Sequence, residues 1–299
     1  MTSIIRIGSR QSRLAVIQAE IIKTQIERNC PEVRAEIVTM KTTGDRILDK
    51  SLETIGGKGL FVKELDKALL AGEIDLAVHS LKDMPMETPD ELPILAYGKR
   101  EDPRDVLILR PGAESEECVK RKGAVIGTSS RRRSVQLQRL YPESCFRGIR
   151  GNVQTRLRKL SEEDYDATVL AAAGLLRLGM KEQITRYFSL EEVLPAAGQG
   201  ILAVQGRAGE SYPYLKEVND RASQAAAMAE RAFVRCLGAG CTSPVAAYAQ
   251  AAGEEIWLQG LYFEEETDYF ARDAITGEVS QAERLGEQLA YQMKKEAGR

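Results

Sequence analysis

The chain has 299 residues, which at roughly 100–200 residues per domain predicts two or three domains. Hydrophobic residues make up 43% and charged residues 29%, and Lys+Arg 42 nearly cancel Asp+Glu 44, which excludes a disordered chain and a uniformly basic nucleic-acid coat. No apolar run approaches the ~20 residues that cross a bilayer, and MTSIIRIGSR lacks the apolar core of a secretory signal, so a cytoplasmic protein with no membrane partner is expected.

The first ~95 residues read as alternating strands and helices. Ile4 to Ile7 predicts a strand, and Leu14, Ile17, Ile21 and Ile22 recur at helical spacing. A strand at Glu36–Met40, a helix at Leu60–Leu70 and a strand at Ile74–Val78 follow. This rhythm predicts a mostly parallel sheet with helices on its faces. Charge and proline break it at Gly98–Arg104. It restarts with strands at Val106–Leu109 and Ala124–Gly127, a helix over 131–141, and a strand at Ala167–Ala171. PAAGQG at 195–200 reads as a second hinge, and the strand Ile201–Val204 behind it is placed to return to the first sheet. The last ~80 residues differ: an Ala-rich helix (222–237), the loop GAGCTSP, strands at Val245–Ala249, Ile256–Phe263 and Tyr269–Ile275, and an amphipathic helix carrying Ala282, Leu285, Leu289 and Met293. The expected divisions are 1–98 with 199–217 returning to it, 99–198, and a small α+β unit at 218–299.

The near-neutral total hides a polarised chain. Between Lys120 and Leu160 stand twelve bases and one acid, Glu143, a local charge of +11, and nine of the twelve are arginine. Arginine suits bidentate contact with carboxylate or phosphate. Three turns share one design, a strand ending in Ser, Thr or Gly residues that open a helix: IGSRQS (7–12), AVHSLKD (77–83) and IGTSSRRR (126–133). Such hydroxyls are ordinary N-caps. With Arg10, Lys82 and Arg132/Arg133 adjoining them, the three together predict an anion-binding cleft at strand ends.

Other features read less sharply. GGKGLFVKE (56–64) is not a phosphate loop, because Gly59 stands where G-x-x-x-x-G-K-[ST] needs Ser or Thr. It is either a flexible turn or a mobile lid presenting Lys58. A single histidine, His79, excludes sites that need several His ligands, so no metal is expected; it reads as a hydrogen-bonded structural residue. Asp83 is a turn residue or a carboxylate poised to move protons. Five cysteines without a C-x-x-C pair argue against a disulfide framework, and Cys241 sits among small neighbours that leave room for something attached to sulfur.

Taken in order, RIGSRQSRLA, TTGDRILD, GGKGLFVKELD, DLAVHSLKDMP, REDPRDVLI, GTSSRRRSVQL, RGNVQTRL, AAAGLLRLG, LPAAGQGILAVQ, AERAF and GAGCTSPVAAYA resemble the porphobilinogen deaminase (hydroxymethylbilane synthase) family over nearly the whole chain. The resemblance implies a transferase of tetrapyrrole (porphyrin and heme) biosynthesis that joins four porphobilinogen molecules head to tail with loss of ammonia. They are joined on a dipyrromethane cofactor held by a thioether to Cys241. It implies an α/β fold: two domains of the type II periplasmic-binding-protein kind around a cleft, plus a small C-terminal α+β domain bearing the cofactor cysteine. A monomer is expected on the same ground.

Carried over by motif, Asp83 is the catalytic carboxylate, stabilising positive charge on pyrrole nitrogens. Each pyrrole bears an acetate and a propionate, which accounts for the basic segment better than nucleic acid does. Cofactor contacts are expected from Lys82, Ser129, Ser130, Arg132, Arg133, Arg150 and Arg156, and substrate contacts from Arg10, Ser12, Lys58, Arg150, Arg156 and Arg177. Arg131 departs from an apolar position of the motif and is expected to face solvent. Leu81 and Met84 are mild exchanges, and Thr242 and Ser243 replace bulkier residues beside the cysteine. The alternatives are a non-enzymatic anion- or solute-binding protein of the same fold and a nucleic-acid binder. The second is disfavoured because the arginines stand at turns rather than along one helix face.

Overall fold

The computed structural model describes residues 3–42, 62–238, 244–264 and 269–298. Lys58 and Cys241 both lie outside the described residues.

The first unit begins β1 (Ser3–Arg10), α1 (Arg13–Asn29) and β2 (Val33–Met40). Ala15, Ala19, Ile22 and Ile26 form the buried stripe of α1, and Ile5, Ile7, Val33 and Ala35 meet it from alternate positions of the two strands. After α2 (Lys63–Leu70) comes β3 (Leu76–Ser80), in which Leu76 to His79 are all buried, the pattern of a strand covered on both faces. A 3-10 turn (Leu81–Asp83) and β4 (Ile94–Tyr97) follow.

The second unit runs β5 (Asp105–Leu109), α3 (Glu117–Lys120), β6 (Val125–Gly127), α4 (Arg131–Leu140), β7 (Cys145–Arg147), α5 (Val153–Glu162), β8 (Ala167–Ala171), α6 (Ala172–Arg177) and β9 (Arg186–Tyr187). The chain then crosses back as β10 (Leu202–Gln205).

The two five-stranded sheets have the same plan. Their orders are β2-β1-β3-β10-β4 and β7-β6-β8-β5-β9. Three strands of each are parallel, and the fourth, β10 or β5, is antiparallel to both neighbours. In each sheet that antiparallel strand directly follows a crossing from the other unit. The strand expected over 201–204 is therefore β10, seated in the first sheet between β3 and β4. The two crossing segments run side by side, with Gly98 N donating to Leu202 O (2.8 Å) and Glu101 N to Gly200 O (3.1 Å). Gly200 has φ 89°, and a Cβ there would lie 2.3 Å from Glu101 O, so only glycine fits.

The third unit packs α7 (Arg221–Cys236) and α8 (Ala282–Glu296) on the antiparallel sheet β11-β12-β13 (Val245–Ala252, Glu255–Glu264, Tyr269–Glu278). Small residues set the spacing: a Cβ on Gly286 of α8 would lie 2.2 Å from Ala229 O of α7. Glu230 of α7, fully buried, ties this unit to both crossings. Its two carboxylate oxygens both accept from Arg100 Nη2 (2.7 and 2.8 Å), and they also accept from the backbone N–H groups of Gly198 (2.6 Å) and Ala249 (2.7 Å).

Candidate active site

The site forms where both crossings pass the ends of β3 and β6. Leu81 and Met84, three apart, are buried (0% and 1% exposed). Leu81 N donates to Ile201 O (3.0 Å) and Met84 N to Leu81 O (3.1 Å). The turn is thereby pinned by its apolar residues, and Asp83 between them is left exposed. Lys82 is the opposite case: it is half-buried with Nζ 3.3 Å from Gln199 Oε1. Burial pushes its amine down to about 8 against the pull of Asp83 and Asp105, and Arg133 and Arg132 add to the lowering.

Across the cleft the centre is Asp105, the first residue of β5 and fully buried. Its carboxylate accepts from Arg132 Nη1 (2.7 Å), from Arg133 Nε and Nη2 (3.1 and 2.7 Å) and from Gln199 Nε2 (3.1 Å). Burial alone would push this carboxyl up, but the two guanidiniums together overcome it and hold it far below the usual carboxylate range. Arg132 also donates to Leu194 O and Arg133 to Val169 O. Gln199, on the second crossing, bonds Pro103 O on the first (2.6 Å). Lys82, Gln199, Asp105 and the arginine pair thus make one continuous polar chain from the first unit to the second.

Two further arginines lie at the same place without a carboxylate among their hydrogen-bond partners. Arg156 of α5 donates to Gly151 O (2.9 Å). Burial lowers it to about 10, helped by Arg133 and Arg150 and opposed by Asp83, so all three lie within electrostatic reach of Arg156. Arg177, the last residue of α6, donates to Gly200 O of the second crossing (2.6 Å), and burial lowers it to about 10 against Glu101. Arg10 ends β1 near His79. His79 is buried, with Nε2 3.2 Å from Gln205 Oε1, and burial pushes it down to about 4, so it is a neutral structural residue.

The three expected anion turns differ. Ser12 caps α1, its hydroxyl accepting from Ala15 N (3.3 Å). Ser80 accepts from Gln18 Nε2 (2.9 Å). Ser130 is the N-cap of α4 but makes no side-chain cap bond, and the neighbouring Ser129 hydroxyl, on an exposed residue, donates to Ile149 O (3.0 Å). The Ser130 hydroxyl thus makes no cap bond to the first turn of α4, which carries Arg132 and Arg133, while Arg131 is exposed. Arg132 Nε is buried with no hydrogen-bond partner. Cations, hydroxyls and an orphaned buried donor are what a polycarboxylate ligand would satisfy. Asp105, Gln199 and the junction residue Glu230 are not singled out by the sequence reading. Their motifs, REDPRD, PAAGQG and AERAF, were visible, but which side chains turn inward was not. No group of His, Cys, Asp and Glu among the described residues could hold a metal ion, and none of their helices is long and apolar enough to cross a membrane.

Comparison with known proteins agrees with this chemistry. Residues 5–213 match the family model described as porphobilinogen deaminase, dipyromethane cofactor binding domain, and residues 224–295 match that of the porphobilinogen deaminase C-terminal domain. Relatives named porphobilinogen deaminase include one from Ruminiclostridium josui, 51% identical over 290 residues (97% of this chain and 97% of that protein). Another, from Acetivibrio thermocellus, is 50% identical over 293 residues (98% and 99%). A weaker likeness of fold, with 12% identity and a TM-score of 0.46 over 72% of this chain and 88% of the other, is to the methionine binding protein MetQ. The chain belongs to the porphobilinogen deaminase family.

Proposed function

We propose that the protein is a hydroxymethylbilane synthase, condensing four porphobilinogen molecules with loss of ammonia on a covalent dipyrromethane. The observation that carries this reading is the polar chain that runs from Lys82, beside exposed Asp83, through Gln199 to Asp105, Arg132 and Arg133, placing cations of both sheets around one cleft. When bound, the dipyrromethane supplies the pyrrole α-carbon at which chain growth begins, anchored through Cys241.

The residues divide the work by charge. Lys82, Arg132, Arg133, Ser129 and Ser130 hold acetate and propionate groups of the cofactor, with Arg150 and Arg156 shared between cofactor and substrate. Arg177, Arg10, Ser12 and Lys58 serve substrate and the lengthening chain. Each charge-assisted hydrogen bond contributes about 1.5–3 kcal/mol. Asp83 is the acid in this field of cations, so a pyrrole N–H directed to its carboxylate gains a counter-charge as positive charge develops on nitrogen, and the same oxygen accepts the proton that restores aromaticity. The units divide at 98/99, 198/199 and 217/218, as the shared sheet plan and paired crossings favour. The enzyme works in the cytoplasm as a monomer, without membrane or nucleic-acid partners.

Intact-protein mass spectrometry tests the reading. Wild type carries the mass of a dipyrromethane and Cys241→Ser does not; porphobilinogen adds a ladder of pyrrole units. Asp83→Ala keeps the cofactor mass and loses turnover. Wild type that stays unmodified after porphobilinogen, or near-normal turnover in Asp83→Ala, overturns it.

A further inference from the structure

Helix α7 reaches the Asp83 turn directly. Arg231, 7% exposed, donates from Nη2 to the carbonyls of Pro85 (2.5 Å) and Met86 (2.9 Å), two and three residues beyond Asp83. On its other side this turn is held by Leu81 and Met84 in the core and by Leu81 N on Ile201 O. Arg231 is thus the third unit's grip on the chain that carries the acid. Its neighbour Glu230 fixes where that grip stands: Arg100 and Gly198 N, one from each crossing, bind its carboxylate. Helix α7 ends at Cys236, and Cys241 follows five positions later in the sequence.

We propose that Arg231 is a positioning residue for Asp83. Through two backbone carbonyls it sets the turn's register against α7 and so holds the acid in place relative to the third unit. This rests on the reading of Asp83 as the reacting carboxylate. A guanidinium suits the task because one nitrogen offers two hydrogens to two adjacent carbonyls. Lysine, a single rotatable point charge, would reach them less rigidly. A misplacement of about 1 Å at a reacting group costs up to ~100-fold in rate, so the effect falls on kcat rather than on KM.

The holoenzyme variants Arg231→Met and Arg231→Lys test this, with Arg235→Met as control, since Arg235 sits one turn on and pairs with Glu283 in a more exposed setting. Arg231→Met is expected to keep the cofactor mass. Its kcat should fall roughly 10- to 100-fold with KM changed by less than about threefold, and amide hydrogen exchange should speed up over residues 81–88. Arg231→Lys should recover part of both effects, which keeps the test open if the Met variant folds poorly. Arg235→Met should match wild type. Unchanged kcat in Arg231→Met overturns the proposal, as does lost kcat with unchanged exchange. Loss of the cofactor mass in Arg231→Met also overturns it, since Arg231 would then serve cofactor loading. If Asp83→Ala stays active, the underlying reading fails instead, and the exchange measurement still reports whether Arg231 orders the turn.

Discussion

Asp105 is the residue on which the cationic side of the cleft depends most. Replacing it with Asn keeps its shape and removes its charge. Three guanidinium bonds, from Arg132 Nη1 and from Arg133 Nε and Nη2, change from charge-paired to neutral-acceptor at best. A bond to a charged partner contributes about 1.5–3 kcal/mol and a neutral one about 0.5–1.5, so three such changes cost roughly 3–5 kcal/mol. Removing one partner from a buried ion pair independently costs about 3–5 kcal/mol, and Asp105 and both arginines are nearly inaccessible to water. At about 2.1 cal/mol/K per residue the 299-residue chain has an unfolding entropy of about 0.6 kcal/mol/K, which turns that cost into a fall in Tm of about 5–8 °C. Calorimetry on the cofactor-free protein, Cys241→Ser with and without Asp105→Asn, reads it. The same change should be milder in the holoenzyme, where cofactor carboxylates provide counter-charge. A fall of under about 1 °C in the cofactor-free protein would refute the reasoning, since a buried guanidinium pair stripped of its carboxylate cannot be that cheap.

His79 gives a pH test with one variable, because the chain has no other histidine. Its folded value is about 4 against about 6.5 unfolded, so between these values the unfolded state binds the extra proton. Stability is full above the unfolded value and is lost as pH falls through the window, by about 1.3 kcal/mol between about pH 7.5 and 5.5. Urea denaturation should show this slope in wild type and lose it in His79→Gln; equal slopes would be contrary. Lys82, held at about 8, should lose its charge as pH rises through that value, so cofactor uptake by the cofactor-free protein should slow above about pH 8. Lys82→Arg, which stays charged, should show no such decline when the modified mass is followed in time. Gly200→Ala forces a Cβ to within 2.3 Å of Glu101 O at φ 89°, costing roughly 2–4 kcal/mol from strain and overpacking combined. Gly209→Ala, also at positive φ (77°) but with nothing within 4 Å, should cost about 1–2 kcal/mol, and a Tm difference between the two variants measures the crowding alone.

How much of this was legible beforehand depended on how loudly each segment states its period. Helix α1 and strand β3 have strong apolar patterns that the sequence shows, though β3 spans Leu76–Ser80 where the pattern predicts Ile74–Val78. Strand β4 (ILAY), strand β7 (CFR) and helix α5 (VQTRLRKLSE) are not among the elements the sequence predicts. The edge strand β7 is too short to show alternation. Helix α5 carries its signal faintly, in Val153, Leu157 and Leu160 at helical spacing behind the Asn152 cap, whose side chain accepts from Thr155 N. Its basic residues masked that stripe, and those same residues include Arg156. Local sequence shows charge type but not partner: the sequence presents Arg132 and Arg133 as ligand binders, whereas folding brings Asp105 from 27 residues away to hold both.

That arrangement answers a physical problem the sequence poses. A segment with a local charge of +11 cannot fold its arginines into a cleft and leave them all waiting for a ligand, because burying a lone guanidinium costs several kcal/mol. One acid shared by two arginines lowers the charge at the centre without cancelling it, so the cofactor-free protein can fold while a net cation remains to attract carboxylates. Arg156 and Arg177 rest on backbone carbonyls instead, partners that steady a guanidinium without neutralising it. The hydrogen bonds that assemble the cleft thereby leave its charge largely in place. For the same reason the crossings matter: Gln199 and Gly200 join the charged groups of both units where the chain passes between them, so a change in the angle between the units moves Lys82, Arg177 and the Asp105 cluster relative to one another.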